Sequence, residues 1–291
     1  MISVQNAVFS YDDSHILKGI SYVEESPIIA GLWGRNGVGK TTLMKLMAGH
    51  MKPSEGRLEI MGQQPYNNVK AQKHLCYMQE DHPFSEIWTV RDALRFYQYF
   101  NPNWNQEEAF QLLEAFELPE KKKVKKLSTG MKTALQQVIG LASHAEVTIL
   151  DEPTNGLDAG MRKTFYKLLL KSYETNPRLI VVSTHHIEEI QNLLDSIMVI
   201  HDGKLVMHKS MEEIREMGMW LTGEGNQVDA LVKGKRVLEE SKMGSMKKVM
   251  IDDAISDVWR DHARKGGVSL ESAPLQDYLL NVTEKKKEGI R

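Results

Sequence analysis

The sequence predicts an α/β fold in three parts: a core on a mixed sheet with antiparallel N-terminal strands, a helical subdomain, and a small C-terminal α+β extension. Three observations predict this fold. An apolar strand, a glycine-rich loop and a helix follow one another over residues 28–49. A second apolar strand ends in two carboxylates, Asp151 and Glu152, and residues between these two segments have helical spacing.

The first residues indicate an antiparallel pair of strands. Apolar residues alternate loosely from Ile2 to Val8, a turn is expected at residues 12–14, and the pattern resumes over 16–22. Residues 28–33 form a short apolar run that is typical of a buried strand.

A phosphate loop follows that strand. Residues 34–41 fit the pattern G-x-x-x-x-G-K-[ST], and residues 42–49 have the composition of a helix that ends at a glycine. Glycines let backbone N–H groups line an anion nest, and the N-terminus of the helix adds partial positive charge. We expect Lys40 to bind the β- and γ-phosphates, Thr41 to bind Mg²⁺ and Thr42 to reach the α-phosphate. The predicted phosphate-binding residues are Gly34, Asn36, Gly37, Gly39, Lys40, Thr41 and Thr42.

The middle of the chain changes character. Apolar residues at helical spacing predict a helical insertion over about 86–145. Its aromatic side chains could belong to the core or could face a partner. The lysines of 121–126 and of 285–287 are expected on solvated surfaces, with a contact to lipid headgroups as a minor alternative for 285–287.

A βαβ unit closes the core. Apolar runs at 147–150 and 179–182 flank a helix over 159–172, which predicts parallel strands. Residues 197–206 predict a hairpin with a type I′ turn at Asp202-Gly203. The first domain therefore covers 1–207. Residues 208–291 form the extension, with a helix expected over 211–217 and a strand over 247–251.

The two carboxylates lie where ligands bind in open α/β sheets, at the carboxyl end of a strand. Asp151 is expected to hold Mg²⁺ through water. Glu152 is one residue further on, so its side chain points elsewhere, and it is the candidate base or orienting group for an attacking water.

Charge and composition exclude several classes of protein. The formal charge of −2 argues against nucleic-acid binding by bulk electrostatics, and the single cysteine, Cys76, excludes an intramolecular disulfide framework. No apolar run approaches the length of a membrane-spanning helix, and the N-terminus does not look like a secretory signal. We expect a cytoplasmic protein.

Further short motifs stand in a fixed order around these sites. They are Tyr11, Gln79 after Cys76-Tyr77-Met78, Leu127-Ser128-Thr129-Gly130-Met131, Asn155-Gly156-Leu157-Asp158, and His185 after Val182-Ser183-Thr184. With the phosphate loop and the acidic pair, they resemble the ATP-binding subunit of bacterial ABC transporters, a P-loop NTPase. The resemblance runs from Phe9 to about Leu205.

The resemblance implies ATP and Mg²⁺ as cofactors and ATP hydrolysis as the activity. Two copies, or this chain and a second ABC ATPase subunit, would sandwich two nucleotides, with Ser128 and Gly130 acting on the nucleotide of the partner. Tyr11 would stack on adenine and Asp158 would lie in the D-loop. Glu152, His185 and Gln79 would be the catalytic residues, and Thr41, Gln79 and Asp151 the Mg²⁺ ligands.

The resemblance further implies a transmembrane permease as partner, a location at the inner face of the cell membrane, and no nucleic acid. The L-S-x-G-M-K form of the signature and the C-terminal extension resemble exporter subunits for a small molecule, drug or peptide. Thr129 and Met131 replace the usual glycine and glutamine of the signature. Two alternatives stay open: a soluble ABC ATPase acting on ribosomes or DNA, and a catalytically silent half of a heterodimer.

Overall fold

The computed structural model describes residues 1–284, so the predicted lysine surface at 285–287 lies outside the described residues. The chain divides into two compact units. The first comprises Met1–His185 and Ile190–His208, and the second comprises His186–Glu189 and, of the described residues, 209–284. Within residues 1–284, no helix combines the length and the apolar character needed to cross a membrane.

The first unit contains two sheets. A three-stranded antiparallel sheet has the order β2-β1-β4, and a six-stranded sheet has the order β5-β6-β7-β3-β8-β9, in which β5, β6, β7, β3 and β8 are parallel. The strands are β1 (Ile2–Tyr11), β2 (Ser14–Glu24), β3 (Ile29–Trp33), β4 (Glu55–Ile60), β5 (Leu75–Met78), β6 (Val147–Leu150), β7 (Leu179–Thr184), β8 (Ser196–His201) and β9 (Lys204–Ser210).

The helices of this part of the chain follow the order that the sequence predicts. They are α1 (Lys40–Met47), α2 (Val69–Gln72), α3 (Val90–Phe100), α4 (Gln106–Ala115), α5 (Thr129–Ala142), α6 (Ala159–Thr175) and α7 (Ile187–Ile190), with a 3₁₀ turn at Val124–Lys126. The predicted βαβ unit is confirmed, because β6 and β7 are adjacent and parallel. The predicted hairpin is confirmed as well. Asp202 and Gly203 have φ angles of 48° and 74°, as a type I′ turn requires.

Helix α1 lies between the two sheets. Its apolar side chains Leu43, Met44 and Met47 are fully buried in a core to which both sheets contribute. Burying side chains of this size contributes about 1.5–3 kcal/mol each. The N-terminus of α1, and with it the phosphate loop, is thereby fixed against the carboxyl edge of the sheet.

Three helices, α3, α4 and α5, lie within the region where the sequence predicts a helical insertion, and side-chain caps mark the starts of α3 and α5. Thr89 and Asp92 form a capping box at the start of α3, and Ser128 caps α5 by accepting a hydrogen bond from the N–H of Met131 at 3.2 Å. All ten residues of α5 from Thr133 to Ala142 are buried. Helix α5 is therefore the rigid element on which the signature residues stand.

Two surfaces of the insertion test the sequence predictions. Lys121, Lys123, Lys125 and Lys126 are exposed, as predicted for a solvated surface. Assigning the aromatic side chains to the core is wrong for three of them, because Phe96, Tyr99 and Phe100 are 41%, 84% and 57% exposed. Helical periodicity identifies one face of α3, but it does not say what covers that face.

The second unit is a four-stranded antiparallel sheet of order β11-β12-β10-β13 in a βαββαβ sequence, the split arrangement of ferredoxin-like folds. Its elements are α8 (Met211–Arg215), β10 (Met217–Glu224), α9 (Gly225–Leu231), β11 (Val237–Met243), β12 (Met246–Ala254), α10 (Asp257–Lys265), β13 (Ser269–Ser272) and α11 (Leu275–Thr283). The predicted strand at 247–251 is confirmed within β12, and the predicted helix at 211–217 ends at Arg215 because β10 begins at Met217.

The sheet of the second unit is packed on both faces. Side chains of α9 and α10 form a core with Met219 and Leu221 on one face. On the other face, the buried ring of Tyr278 on α11 lies against Gly218, where a Cβ atom would come within 2.5 Å of the ring.

Candidate functional site

The glycine-rich loop turns the chain from β3 into α1 with conformations that favour glycine. Gly37 and Gly39 have φ angles of 80° and 109°, and Gly39 is the N-cap of α1. A Cβ atom at Gly39 would lie 2.7 Å from Leu17 Cδ2, and one at Gly34 would lie 2.6 Å from the carbonyl oxygen of Ile200. The loop therefore packs so closely against β2 and β8 at these two positions that a side chain would not fit.

Lys40 is buried, with its side chain 6% exposed. Its Nζ donates a hydrogen bond to the carbonyl oxygen of Gly34 at 2.7 Å and lies 3.3 Å from Glu152 Oε1. The ammonium group thus bridges the phosphate loop and the acidic end of β6. A phosphate oxygen in the loop would compete with these two groups for the same charge.

Asp151 is buried at the carboxyl end of β6. Its Oδ1 accepts a hydrogen bond from Ser183 Oγ at 2.6 Å, and Tyr77 donates to Oδ2 at 3.4 Å. Burial raises the pKa of the Asp151 carboxyl, while the hydrogen bonds from Ser183 and Thr41 oppose that shift. A carboxylate beside the Thr41 hydroxyl is the oxygen donor set that Mg²⁺ prefers, so the two residues fit the predicted metal role.

Glu152 has an unusual backbone. Its φ angle is 46°, in the left-handed region that costs a non-glycine residue about 1–3 kcal/mol. The N–H of Glu152 donates to Ser183 Oγ at 2.8 Å, and Oε2 lies 2.9 Å from His185 Nδ1 in hydrogen-bond contact. Within residues 1–284, the buried Oε1 atom accepts no hydrogen bond, although Lys40 is at ion-pair distance. One carboxylate oxygen is therefore held in place while the other keeps acceptor capacity.

The segment after β5 contributes a residue that the sequence reasoning missed. The side chain of Gln79 donates to the carbonyl oxygen of Asp81 at 3.4 Å, whereas Glu80 lines a cavity of about 310 Å³ at the phosphate loop. Glu80 Oε1 accepts a hydrogen bond from Asn155 Nδ2 at 2.6 Å. No periodicity in the sequence marks Glu80, because its role depends on how two loops meet.

Most of the residues predicted to bind phosphate line that cavity. Its lining comprises Ile16, Asn36, Gly37, Gly39, Lys40, Thr41, Thr42, Glu80 and Glu152. Gly34 adjoins this cluster through its hydrogen bond with Lys40, Asp151 through Thr41, and His185 through Glu152. Ser183 is a second residue that the sequence reasoning passed over. Its position on β7, adjacent and parallel to β6, was the available signal.

The signature turn, residues 127–131, and the D-loop turn, residues 155–158, pack against each other. A Cβ atom at Gly130 would lie 2.7 Å from the carbonyl oxygen of Gly156, and Gly156 itself has a φ angle of 79°. Ser128 is exposed at the start of α5, and Asp158 caps α6 by accepting from the N–H of Met161 at 2.8 Å. Ser128, Gly130 and Asp158 do not line the cavity of their own chain.

Tyr11 is 46% exposed near the end of β1. Its hydroxyl donates to Met51 Sδ at 3.3 Å, and its ring packs edge-on against Phe9 with centroids 4.9 Å apart. The ring is therefore not a core side chain, and it stays a candidate for stacking on a base.

Comparisons with known proteins agree with this geometry. A family model described as ABC transporter matches residues 17–155. The Nod factor export ATP-binding protein I of Burkholderia lata is 31% identical over 211 residues, which cover 70% of this chain and 69% of that protein. The ABC transporter ATP-binding protein YtrB of Bacillus subtilis (strain 168) is 29% identical over 216 residues, 74% of each chain.

The fold is shared with solved structures as well. The ATP-binding subunit of an ABC transporter superposes with a TM-score of 0.67 at 23% identity, covering 74% of this chain and 92% of that one. Because the Nod factor export ATP-binding protein I is 31% identical and is covered over 69% of its length, the chain belongs to the family of ABC transporter ATP-binding proteins, the subunits that bind ATP and power transport.

Proposed function

We propose that this chain hydrolyses MgATP to power export of a small molecule, drug or peptide through a separate membrane-spanning partner. One observation carries the proposal. A buried lysine, a buried aspartate, and a glutamate in contact with a histidine converge beside the phosphate loop at the carboxyl edge of the sheet. This is the set of charges needed to hold a triphosphate and to activate water next to its terminal phosphorus.

The roles follow from the contacts. The backbone of the loop and Lys40 bind the β- and γ-phosphates, while Thr41 and Asp151 would hold Mg²⁺, which offsets phosphate charge when bound. Glu152 accepts the proton of the attacking water through the oxygen that lacks a hydrogen bond. His185 holds the other oxygen and so fixes the direction of the carboxylate.

Two such subunits complete the site. Ser128 and Gly130 lie away from the cavity of their own chain, and Ser128 is exposed. In the proposed pair, they meet the γ-phosphate bound by the other subunit, so ATP has a higher affinity for the closed pair than for the open one. Hydrolysis removes that difference and the pair loosens. The second subunit is another copy of this chain or a related ATPase.

The membrane partner docks at an aromatic groove. A cavity of about 710 Å³ lies between α3 and the segment around β5, and its rim includes Phe96, Tyr99 and Phe100. These exposed rings form an apolar patch of the kind that marks protein contact sites. The relatives are ATP-binding subunits of transporters, so we assign the groove to a cytoplasmic segment of the permease.

The first experiment measures ATP turnover and nucleotide affinity of the purified chain, with Lys40→Ala beside it. We expect turnover in the wild type, and weak binding with no turnover in the variant. Unchanged affinity in Lys40→Ala would exclude the phosphate-loop assignment, and a chain that binds ATP without turnover would indicate the silent half of a heterodimer.

A second experiment tests the partner and the direction of transport. Tyr99→Ala should keep soluble ATPase activity and lose co-sedimentation with membranes that carry the permease. Co-sedimentation with polysomes instead would favour a ribosomal role. ATP-driven uptake of a test compound into inverted vesicles would indicate export. Uptake of the compound into whole cells but not into inverted vesicles would indicate import.

A further inference from the structure

Glu80 belongs to two neighbourhoods at once. Its side chain lines the cavity at the phosphate loop, together with Lys40 and Glu152. The same side chain accepts the hydrogen bond from Asn155 at 2.6 Å, and its backbone carbonyl accepts a hydrogen bond from Gln136 of α5 at 3.1 Å. The nucleotide cavity and the signature helix are thereby joined through one residue.

Asn155 continues the connection. Its N–H donates to the carbonyl oxygen of Glu152 at 3.0 Å, and its own carbonyl oxygen accepts from Thr133 Oγ1 of α5 at 2.9 Å. The side-chain amide is the group that reaches Glu80. Asn155 is therefore held at three points: the catalytic strand end, the signature helix and the cavity.

The signature turn packs against the residue that follows Asn155. Gly156 follows Asn155, and its carbonyl oxygen lies so close to Gly130 that a Cβ atom there would come within 2.7 Å. Where Asn155 lies thus determines where Gly130 and the exposed Ser128 can lie. Because the two turns are in close contact, the signature turn cannot move toward the D-loop turn unless the D-loop turn moves as well.

We infer that Glu80 is a positioning residue that fixes the signature turn, and with it the surface offered to the nucleotide of the partner subunit. This inference rests on the proposed function, since it assigns the cause of signature placement within the same ATP-driven pair. Glu80 acts on the signature turn through Asn155, as a hydrogen-bond acceptor.

The test uses the full chain carrying Glu152→Gln, so that ATP is not consumed. Sedimentation measures ATP-driven dimerisation, and fluorescence titration with ADP measures the affinity of the monomer. Removing a hydrogen bond to a charged group costs roughly tenfold or more in an equilibrium constant. We expect Glu80→Ala and Asn155→Ala each to weaken dimerisation about tenfold, and we expect Asn155→Ala, which lies outside the lining of the cavity, to leave ADP affinity within twofold.

Three companion variants separate positioning from charge and from general disruption. Glu80→Gln keeps an acceptor oxygen and should dimerise like the parent. Glu86→Ala removes an exposed carboxylate from the same loop and should leave dimerisation unchanged. The double variant Glu80→Ala/Asn155→Ala should dimerise as well as either single variant, because both substitutions remove the same hydrogen bond.

The inference is overturned if Glu80→Ala dimerises like its parent, if the two losses add, or if the ADP affinity of Asn155→Ala falls as much as its dimerisation. Failure of the parent chain to bind nucleotide would overturn the proposed function, and this inference with it. A parent that binds ATP but does not dimerise overturns this inference for a pair of identical chains, while the proposed function stands with a related ATPase as the second subunit. A parent that dimerises normally beside unaffected variants overturns the inference alone.

Discussion

Replacing Glu152 by Gln tests the chemistry of the site directly. The change removes one negative charge and keeps the shape of a side chain that is 7% exposed. The amide can still bond His185 at the position of Oε2, 2.9 Å from Nδ1, so the fold around the site should persist. What disappears is the proton acceptor and the charge that faces Lys40.

The distance between Lys40 Nζ and Glu152 Oε1 sets the size of the expected change in ATP affinity. Two unit charges 3.3 Å apart interact by about 5 kcal/mol at an effective dielectric constant near 20. Much of this is offset by desolvation, so a net effect of about 1.4 kcal/mol, tenfold in affinity, is the expected scale. Without the competing carboxylate, Lys40 is free to bind phosphate, and ATP should bind about tenfold more tightly. Turnover should fall by about 10²–10⁴, the usual contribution of a general base.

The assay pairs phosphate release with binding of ATP and of ADP. Because ADP lacks the γ-phosphate, its affinity should change less than that of ATP. Glu86→Gln removes the same charge from an exposed position and serves as the control. Turnover within threefold of the wild type would refute Glu152 as the base, and an equal gain for ADP would refute the electrostatic argument.

Three further variants, with Gly225→Ala as the control for the first, test the packing and charge of the fold. Gly130→Ala must push against the carbonyl oxygen of Gly156 and should destabilise by about 1–2 kcal/mol and weaken ATP-driven dimerisation, whereas Gly225→Ala, with 3.5 Å of space, should be neutral or slightly stabilising in urea unfolding. Arg178→Met removes the five hydrogen bonds that the buried guanidinium donates in the described part of the chain, two of them to the carbonyl oxygens of Ser172 and Leu141, and should lower the free energy of unfolding by about 3 kcal/mol; a loss below 1 kcal/mol would contradict this. Burial lowers the pKa of His82 to about 4 from 6.5, so the unfolded chain binds more protons between these values and stability is lost as pH falls through that window. His82→Gln should reduce that loss by at most about 3 kcal/mol between pH 7 and pH 4, and parallel pH profiles of the two proteins would contradict it.

The parts of the site that are contiguous in sequence were predictable. A strand, a glycine loop and a helix within residues 29–47 set their own geometry, because the turn demands glycine and the helix start supplies the N–H groups. The parallel pair β6 and β7 also follows from the helix between them. That pairing places Ser183 beside Asp151, so this contact could have been derived from the strand order.

Other parts depend on how irregular segments meet. The Glu80–Asn155 hydrogen bond joins two loops whose backbone no periodicity specifies. The exposed face of α3 reads like a core stripe, because a binding face and a core face use the same spacing of apolar residues. The five-residue helix α8 and the start of β10 at Met217 were merged, since so short a helix has no resolvable period.

The two departures from the usual signature bear on whether this chain is an active subunit. Met131 stands where glutamine is expected, yet the contact that caps α5 uses the backbone N–H of Met131, which any side chain leaves intact. The Cγ2 atom of Thr129 would be 3.0 Å from a Cβ atom at Gly156, so its methyl group occupies room that glycine at 156 provides. Neither replacement removes the hydroxyl of Ser128 or the N–H of Gly130. Their effect on turnover should therefore be modest, and Thr129→Gly should change ATPase activity less than Ser128→Ala does.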